Sequence, residues 1–207
     1  MAITINGGTG VITGVSVGGL PDGVVDSGTL ATNSVDSDEL INGAVDTSHL
    51  ATATRGKVVQ VVNTTTSALA TGTTTLPTDD TIPQITEGDE YMTRAITPTN
   101  ASNLLRIDVV FHAALSVADR LMCVALFQDS TAGALAAGHH ASPIAGANRH
   151  IQISITHYMT AGTTSSTTFK IRAGAQSGST LSFNGSSGGR FFGGVSSSSI
   201  TITEIAV

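Results

Sequence analysis

The chain has 207 residues and a formal net charge of −6, with 40% hydrophobic, 12% charged and 4% aromatic side chains. A positive mean hydropathy with so modest a charge excludes a disordered chain. Sparse charge with 23 glycines and abundant Ser and Thr suits turn-rich β-structure and argues against a cytosolic α/β enzyme.

Residues 1–14 are rich in glycine and nearly uncharged; ITING reads as a short strand and GGTG as a turn. The segment is too small to form a core, which marks it as an anchor that docks onto another protein. It has neither a basic n-region nor an apolar h-region, so no signal peptide is expected. No apolar run anywhere reaches the ~18 residues of a membrane span, so no membrane insertion is expected. Cys123 is the only cysteine. It lies in the apolar run LMCVALF and reads as a small buried hydrophobe.

Residues 15–55 carry a ten-residue repeat. Val15, Val25, Val35 and Val45 each precede a leucine by five residues, at Leu20, Leu30, Leu40 and Leu50. The strictest units read VDSGTLATNS, VDSDELINGA and VDTSHLATAT. A period of ten leaves a helical stripe roughly 80° out of phase per unit, so one continuous helix is excluded. Pro21, Gly23, Asn33 and Gly43 punctuate the units, which favours a short extended piece, one helical turn and a tight turn in each. Burying a valine or leucine gives about 1.5–3 kcal/mol. Ordering ten backbones costs roughly 10–20 kcal/mol. One copy therefore cannot fold alone, whereas several copies pooling these eight side chains along an axis can. The expectation is a stalk of a homo-oligomer, a trimer being the simplest; the alternative is a flexible acidic linker. Five aspartates and Glu39 with no Lys or Arg between residues 15 and 54 predict repulsion of nucleic acid and anionic lipid.

From residue 56 the pattern becomes alternating. Candidate strands are KVVQVVN, EYMTRAIT, NLLRIDVVFHAAL, RLMCVALFQ, NRHIQISITHYM, TTFKIRAGA, TLSFNG, GRFFGGV and SITITEIA. Ile151, Ile153 and Ile155 form one inward face, and Leu105, Ile107, Val109 and Phe111 another. Such spacing predicts a mainly β protein whose residues 56–207 form an antiparallel, jelly-roll-like β-sandwich head. The phase slip between Ile202 and Ile205 predicts a β-bulge, and ALAAGHHASPIAGA reads as a helical turn or a loop.

Several clusters are candidates for a site. His139 and His140 could grip a transition metal, against the alternative of an exposed loop. His150 and His157 project to opposite faces of one strand, and His112 falls on the outer side of its own. Asp79, Asp80, Glu87, Asp89 and Glu90, with Arg94 to neutralise part of them, could hold Ca²⁺ or merely solvate a turn. Neither set has full ligand spacing, so no metal and no cofactor is expected. No nucleophile elbow, Walker loop or HExxH motif occurs, so no catalytic residue is assigned. A glycan-cutting enzyme would need an acid pair in a groove, and the strand region offers only Asp108, Asp119, Asp129 and Glu204. The strongest candidate is the loop NGSSGGRFFGG, with Arg190, Phe191 and Phe192 among glycines. Exposed, these would make a contact surface for a receptor; the alternative is that the phenylalanines pack into the sandwich or between copies.

The string ITGVSVGGLPDGVVDSGTLATNSVDSDELINGAV resembles the N-terminal repeats of bacteriophage tail-fibre and virion-fibre proteins, and GKVVQVV, ALFQDSTAGALAAG and SSITITEIAV resemble the C-terminal domain of phage structural proteins. The resemblance covers nearly the whole chain. It implies a non-enzymatic homotrimeric fibre, made in the host cytoplasm and exposed on the virion surface. Its N-terminal segment would attach to other virion structural proteins. The head would project toward a host cell-surface receptor or glycan, as in a tail fibre. A head fibre or capsid decoration protein is the alternative, since the chain is short for a tail fibre, and a polysaccharide-degrading tailspike is the remote one. The resemblance carries no catalytic or ligand residues over.

Overall fold

The computed structural model describes residues 57–141 and 146–207, together with the backbone of two short strands near the N-terminus. The chain divides into two units, Met1–Arg55 and Gly56–Val207. In the first, β1 (Thr4–Asn6) pairs antiparallel with β2 (Val11–Thr13), so the expected ITING strand is present. The repeat and its Val/Leu stripe lie outside the described residues.

The second unit is an antiparallel β-sandwich, with no α-helix among the described residues. Its strands are β3 (Val58–Thr66), β4 (Ala70–Gly72), β5 (Asp89–Ile96), β6 (Leu104–Leu115), β7 (Leu121–Gln128), β8 (Ala136–Ala141), β9 (His150–Thr160), β10 (Thr167–Ala175), β11 (Leu181–Phe183), β12 (Gly185–Ser186), β13 (Gly189–Arg190) and β14 (Ser198–Ile205). The eight longest strands pair first with last and inward from there: β3 with β14, β5 with β10, β6 with β9 and β7 with β8. A long hairpin rolled up in this way is a jelly roll. One sheet runs β5-β10-β7-β8. In the other, β9 follows one edge of β6, while β14 takes Leu104–Val110 and β11 takes Ala113–Leu115 on the opposite edge. β3 and β4 complete that sheet outside β14 and β11.

The alternating side chains named above fill the space between the sheets. Leu105, Ile107, Val109 and Phe111 meet Ile151, Ile153, Ile155, Ile200 and Ile202 from one sheet and Met92, Val124, Leu126, Phe169 and Ile171 from the other. β7 departs from alternation because both of its faces are covered. Cys123, Ala125 and Phe127 point outward but lie under Leu76, Ile85 and Ala134. Cys123 is 2% exposed, and burial pushes its thiol up to about 11.

Three expectations need correction. The segment around His139 and His140 is an edge strand, β8, rather than a helical turn or loop; its alanines and glycine carry no alternation to read. GRFFGGV supplies only the two residues of β13 and then a 3-10 turn, Phe191–Gly194. The pairing of the final strand with β3 does shift between Glu204 and Ile205, but the extra residue is Val59 on β3, so the phase of the final strand does not slip. Alternation continues inward from Ser198, Ile200 and Ile202 to Glu204, which fills an apolar slot with a carboxylate.

Glu204 is fully buried. It accepts hydrogen bonds from Gln60 Nε2 at 2.6 Å, Asn103 Nδ2 at 2.6 Å, and the amide and hydroxyl of Thr99 at 2.8 Å each. Burial alone would raise its pKa, but bonds from Gln60, Asn103 and Thr99 outweigh it and hold the carboxyl at about 2. The group thereby ties β14 to β3 and to the connection between β5 and β6.

The folded value lies below the ordinary 4.5, so the stability it contributes is full above pH 4.5 and is lost as the pH falls toward 2. Glu204→Gln turns an amide N–H toward side chains that are themselves donors. Chemical denaturation at neutral pH should show a loss of about 2–3 kcal/mol. The variant should also lose the part of the wild type's pH dependence between pH 4.5 and 2 that Glu204 contributes.

Candidate functional site

Between β11 and β14 the chain leaves the sandwich for residues 185–197. The root of this excursion is a polar peg. Asn184, almost fully buried, holds a positive φ of 53°, a conformation that Asn tolerates. Its Nδ2 donates to the carbonyls of Thr66 at 2.9 Å and Ala68 at 3.2 Å. Its Oδ1 accepts from Ser198 Oγ at 2.7 Å, and that hydroxyl in turn accepts from the His112 amide at 2.9 Å. Both ends of the excursion are thus fixed to β6 and to the corner between β3 and β4.

The first part is a hairpin in which Gly185 pairs with Arg190 and Ser186 with Gly189. Ser187 and Gly188 have φ of 49° and 80°, as a two-residue type I′ turn requires. Gly185 is obligatory: a Cβ there would lie 2.2 Å from the Gly189 carbonyl oxygen. Ser186 Oγ donates to the Asn148 carbonyl at 2.8 Å and holds the hairpin to the start of β9.

The second part carries the predicted residues. Phe191 is half-buried, its ring edge-on to His150 at 4.5 Å between centroids. His150 stacks on His112 at 4.9 Å and 6°. The sequence placed these two histidines on separate strands and did not join them; antiparallel pairing of β6 with β9 sets Ala114 opposite His150 and His112 opposite Gln152, which makes the histidines diagonal neighbours. Burial lowers the pKa of both rings, and the neighbouring His150 lowers that of His112 further. Phe192 stands 79% exposed and Val195 83% exposed. Arg190 is exposed, with its guanidinium against Gly194. The structure therefore separates the trio: Phe191 packs down, and Phe192 points outward with Val195.

The other candidates resolve into local structure. His139 and His140, adjacent on a strand, line different grooves, of about 340 and 470 Å³, so they do not converge on one ion. His157 lies on the half-buried side of β9, opposite His150. Among the described residues no group of three His, Cys, Asp or Glu is placed to hold a metal. The acidic run is dispersed over turns and the start of β5. Asp79 accepts from the Thr81 amide, Glu87 from the Gln84 amide, and Asp89 from the amide and hydroxyl of Thr74. The cations that approach Glu90 are Lys170 and Arg172, each at 3.8 Å, and not the expected Arg94. Asp108 pairs with Arg106 at 2.8 Å, and Asp129 accepts from Thr167 and Thr168. With Glu204 in its own network, three of the four strand-region carboxylates are tied into local bonds.

Phe192 has φ 49° and ψ 39°, a left-handed conformation in which a bulky residue is strained. Phe192→Gly should raise stability by about 1 kcal/mol in thermal or chemical unfolding. A loss instead would show that the exposed ring makes a contact that holds the turn.

No family model and no curated protein matches the sequence. Similar solved structures include Eiger TNF from S. frugiperda, at 12% identity and TM-score 0.43, over 70% of this chain and 93% of that one. The infectious bursal disease virus VP2 subviral particle is similar at 12% identity and TM-score 0.32, over 72% of this chain and 39% of that one. The enzymatically active domain of bacteriophage CBA120 tailspike protein 4 is similar at 11% identity and TM-score 0.25, over 61% and 19%. At these identities the likeness is one of β-architecture alone.

Proposed function

We propose that the chain is a structural protein of a phage virion: a homotrimeric fibre without enzymatic activity, anchored by residues 1–14, with a stalk from residues 15–55 and an exposed head that contacts the host. The reading is carried by the ten-residue Val/Leu repeat running directly into a β-sandwich. A stripe of one valine and one leucine per ten residues gains too little to order a single chain. Three copies pooling the stripe bury it from all sides.

The geometry of the head supports a contact role for the excursion between β11 and β14. The chain comes out of the repeat at residue 56 and enters β3 at Val58. Eight residues later β3 ends at Thr66, whose carbonyl receives the Asn184 peg. The excursion is therefore rooted about 30 Å along the strand from the point where the stalk would join. In a trimer Phe192 and Val195 would be presented in three copies. Weak contacts gain greatly from such multiplicity, since the second and third bind at high effective concentration.

Leu30→Asp sets three carboxylates near one axis, and unpaired buried charges of like sign are costly. Sedimentation should show a trimer for the wild type. Limited proteolysis should show residues 15–55 cut in the variant while the head stays intact. A wild type that sediments as a monomer would reject the shared stalk.

The triple change of Arg190, Phe191 and Phe192 to alanine should lower adsorption of particles to host cells several-fold without lowering particle yield. Normal adsorption by a folded triple variant removes this loop as the receptor contact. If deleting the whole protein leaves adsorption normal but makes capsids fragile, the protein is a capsid decoration protein and not a host-attachment fibre.

A further inference from the structure

Three rings form a column at the base of the excursion. His112 on β6 and His150 on β9 stack at 4.9 Å and 6°, and Phe191 closes the column, edge-on to His150 at 4.5 Å. The His112 ring is built to stay neutral. Its Nδ1 is inaccessible to solvent and has no hydrogen-bond partner. In a neutral imidazole that nitrogen can be the bare acceptor. In the imidazolium it must carry a proton, and a buried, charged N–H without an acceptor is far more costly.

The surroundings offer no counter-charge. On β9, Arg149 precedes His150. On β8, His140 lines the same groove as Arg149 and His150, of about 470 Å³. On the excursion, Arg190 precedes Phe191, with its guanidinium against Gly194. β11, β12 and β14 bring no ionisable group here: Ser182 lies opposite Ala114, Ser186 at the Asn148 carbonyl and Ser198 at the His112 amide. β6 has Asp108 on the same face, four residues from His112, but Arg106 and Thr156 engage it. Asp119 lines a separate pocket with Arg120 and Ala141. Residues 142–145 are Ser, Pro, Ile and Ala. Among the described residues, then, the ionisable groups around the rings are basic, and each carboxylate named has an arginine beside it.

With the column closed, taking up two protons is strongly disfavoured. Parallel imidazolium rings at this separation repel, burial opposes each charge, and Phe191 keeps water from one side of His150. The parts differ in freedom. His112 is bonded on both edges of its strand, pairing with Gln152 of β9 and giving its carbonyl to the Asn184 amide. His150 stands in the last pair of β9, opposite Ala114. Phe191 opens a 3-10 turn that includes the left-handed Phe192 and Gly193. We propose that the two histidines are an acid-sensitive latch on the turn Phe191–Gly194: neutral, the stack seats Phe191; protonated, it opens and releases the turn, while the hairpin before it stays held by Asn184 and Ser186.

Both rings titrate below their ordinary 6.5, because of burial and, for His112, also because of the neighbouring His150. The released form takes up protons that the seated form refuses. Seating is therefore full above pH 6.5 and is lost as the pH falls below it. This latch is a property of the head alone and holds whatever Phe192 and Val195 contact. Under the contact reading, acid takes the order out of the surface that carries them.

One force acts the other way. A charged His150 attracts the Phe191 ring through a cation–π contact, which would tighten the seat. Linkage separates the two. The test is a titration of the histidine rings by NMR on the full chain, wild type and Phe191→Ala, with signals assigned through His112→Gln and His150→Gln. If protonation unseats Phe191, removing the phenyl ring makes protonation easier. Both histidines should then titrate roughly half a pH unit higher in the variant, about threefold in proton affinity. Titration at unchanged or lower pH in folded Phe191→Ala overturns the latch. A second readout needs no variant. Backbone order parameters of Phe192–Val195 should fall below about 0.6 between about pH 7.5 and about pH 5, while Ser186 stays rigid. A turn that keeps its order at the lower pH overturns the latch as well.

Discussion

The larger of the two sheets is registered through β6. This strand is bonded along both edges: β9 follows one for eleven residue pairs, and β14 and then β11 share the other. Its inward side chains Leu105, Ile107, Val109 and Phe111 are essentially inaccessible. A slip of one residue would put Arg106, Asp108 and His112 into the core, so hydrophobic burial fixes the register. That register brings His112 beside His150 and Arg106 beside Tyr158. The packing beneath the candidate contact site is a consequence of how this strand is held.

Glu204 and Asn184 close the two ends of the same sheet by polar means. Glu204 occupies an inward position at the end of β14 where the chain enters the head, and Asn184 occupies the root of the excursion beyond β11. Each is buried and each has its partners. At these places the sandwich has to hold a loop as well as a strand, and hydrogen bonds fix loops in directions that apolar contact cannot.

The sequence was legible where one face of a strand is buried and the other wet. The alternation at Ile151, Ile153 and Ile155 located β9, and TTFKIRAGA matched β10 residue for residue. It was illegible where pairing alone makes the strand. β4, β8 and β12 are short or built from Ala, Gly and Ser, with no periodic signal. Glu204 misled because alternation was read through apolar residues, and a satisfied carboxylate broke the pattern without breaking the strand. Of the site, Arg190, Phe191 and Phe192 stood out as aromatics among glycines. The pegs Asn184 and Ser198 and the His112–His150 stack did not, since each depends on partners far away in the chain. The N-G at residues 184 and 185 is the one local signal that could have flagged the root.

Strain in the head is concentrated where contact is proposed. Asn184, Ser187 and Phe192, with three glycines, hold positive φ within eleven residues, whereas the long strands need none. A hairpin tip needs two such residues, and Ser187 and Gly188 supply them. Phe192 is different: no turn geometry calls for a phenylalanine there, and glycine would serve the backbone better. An aromatic kept in a left-handed conformation with most of its surface in water costs the isolated head stability on both counts. Under the proposed contact role, that cost is offset by what the ring would meet outside its own chain. The rigid peg beneath it means that this outward position does not have to be ordered at the moment of contact, which lowers the entropic cost of binding.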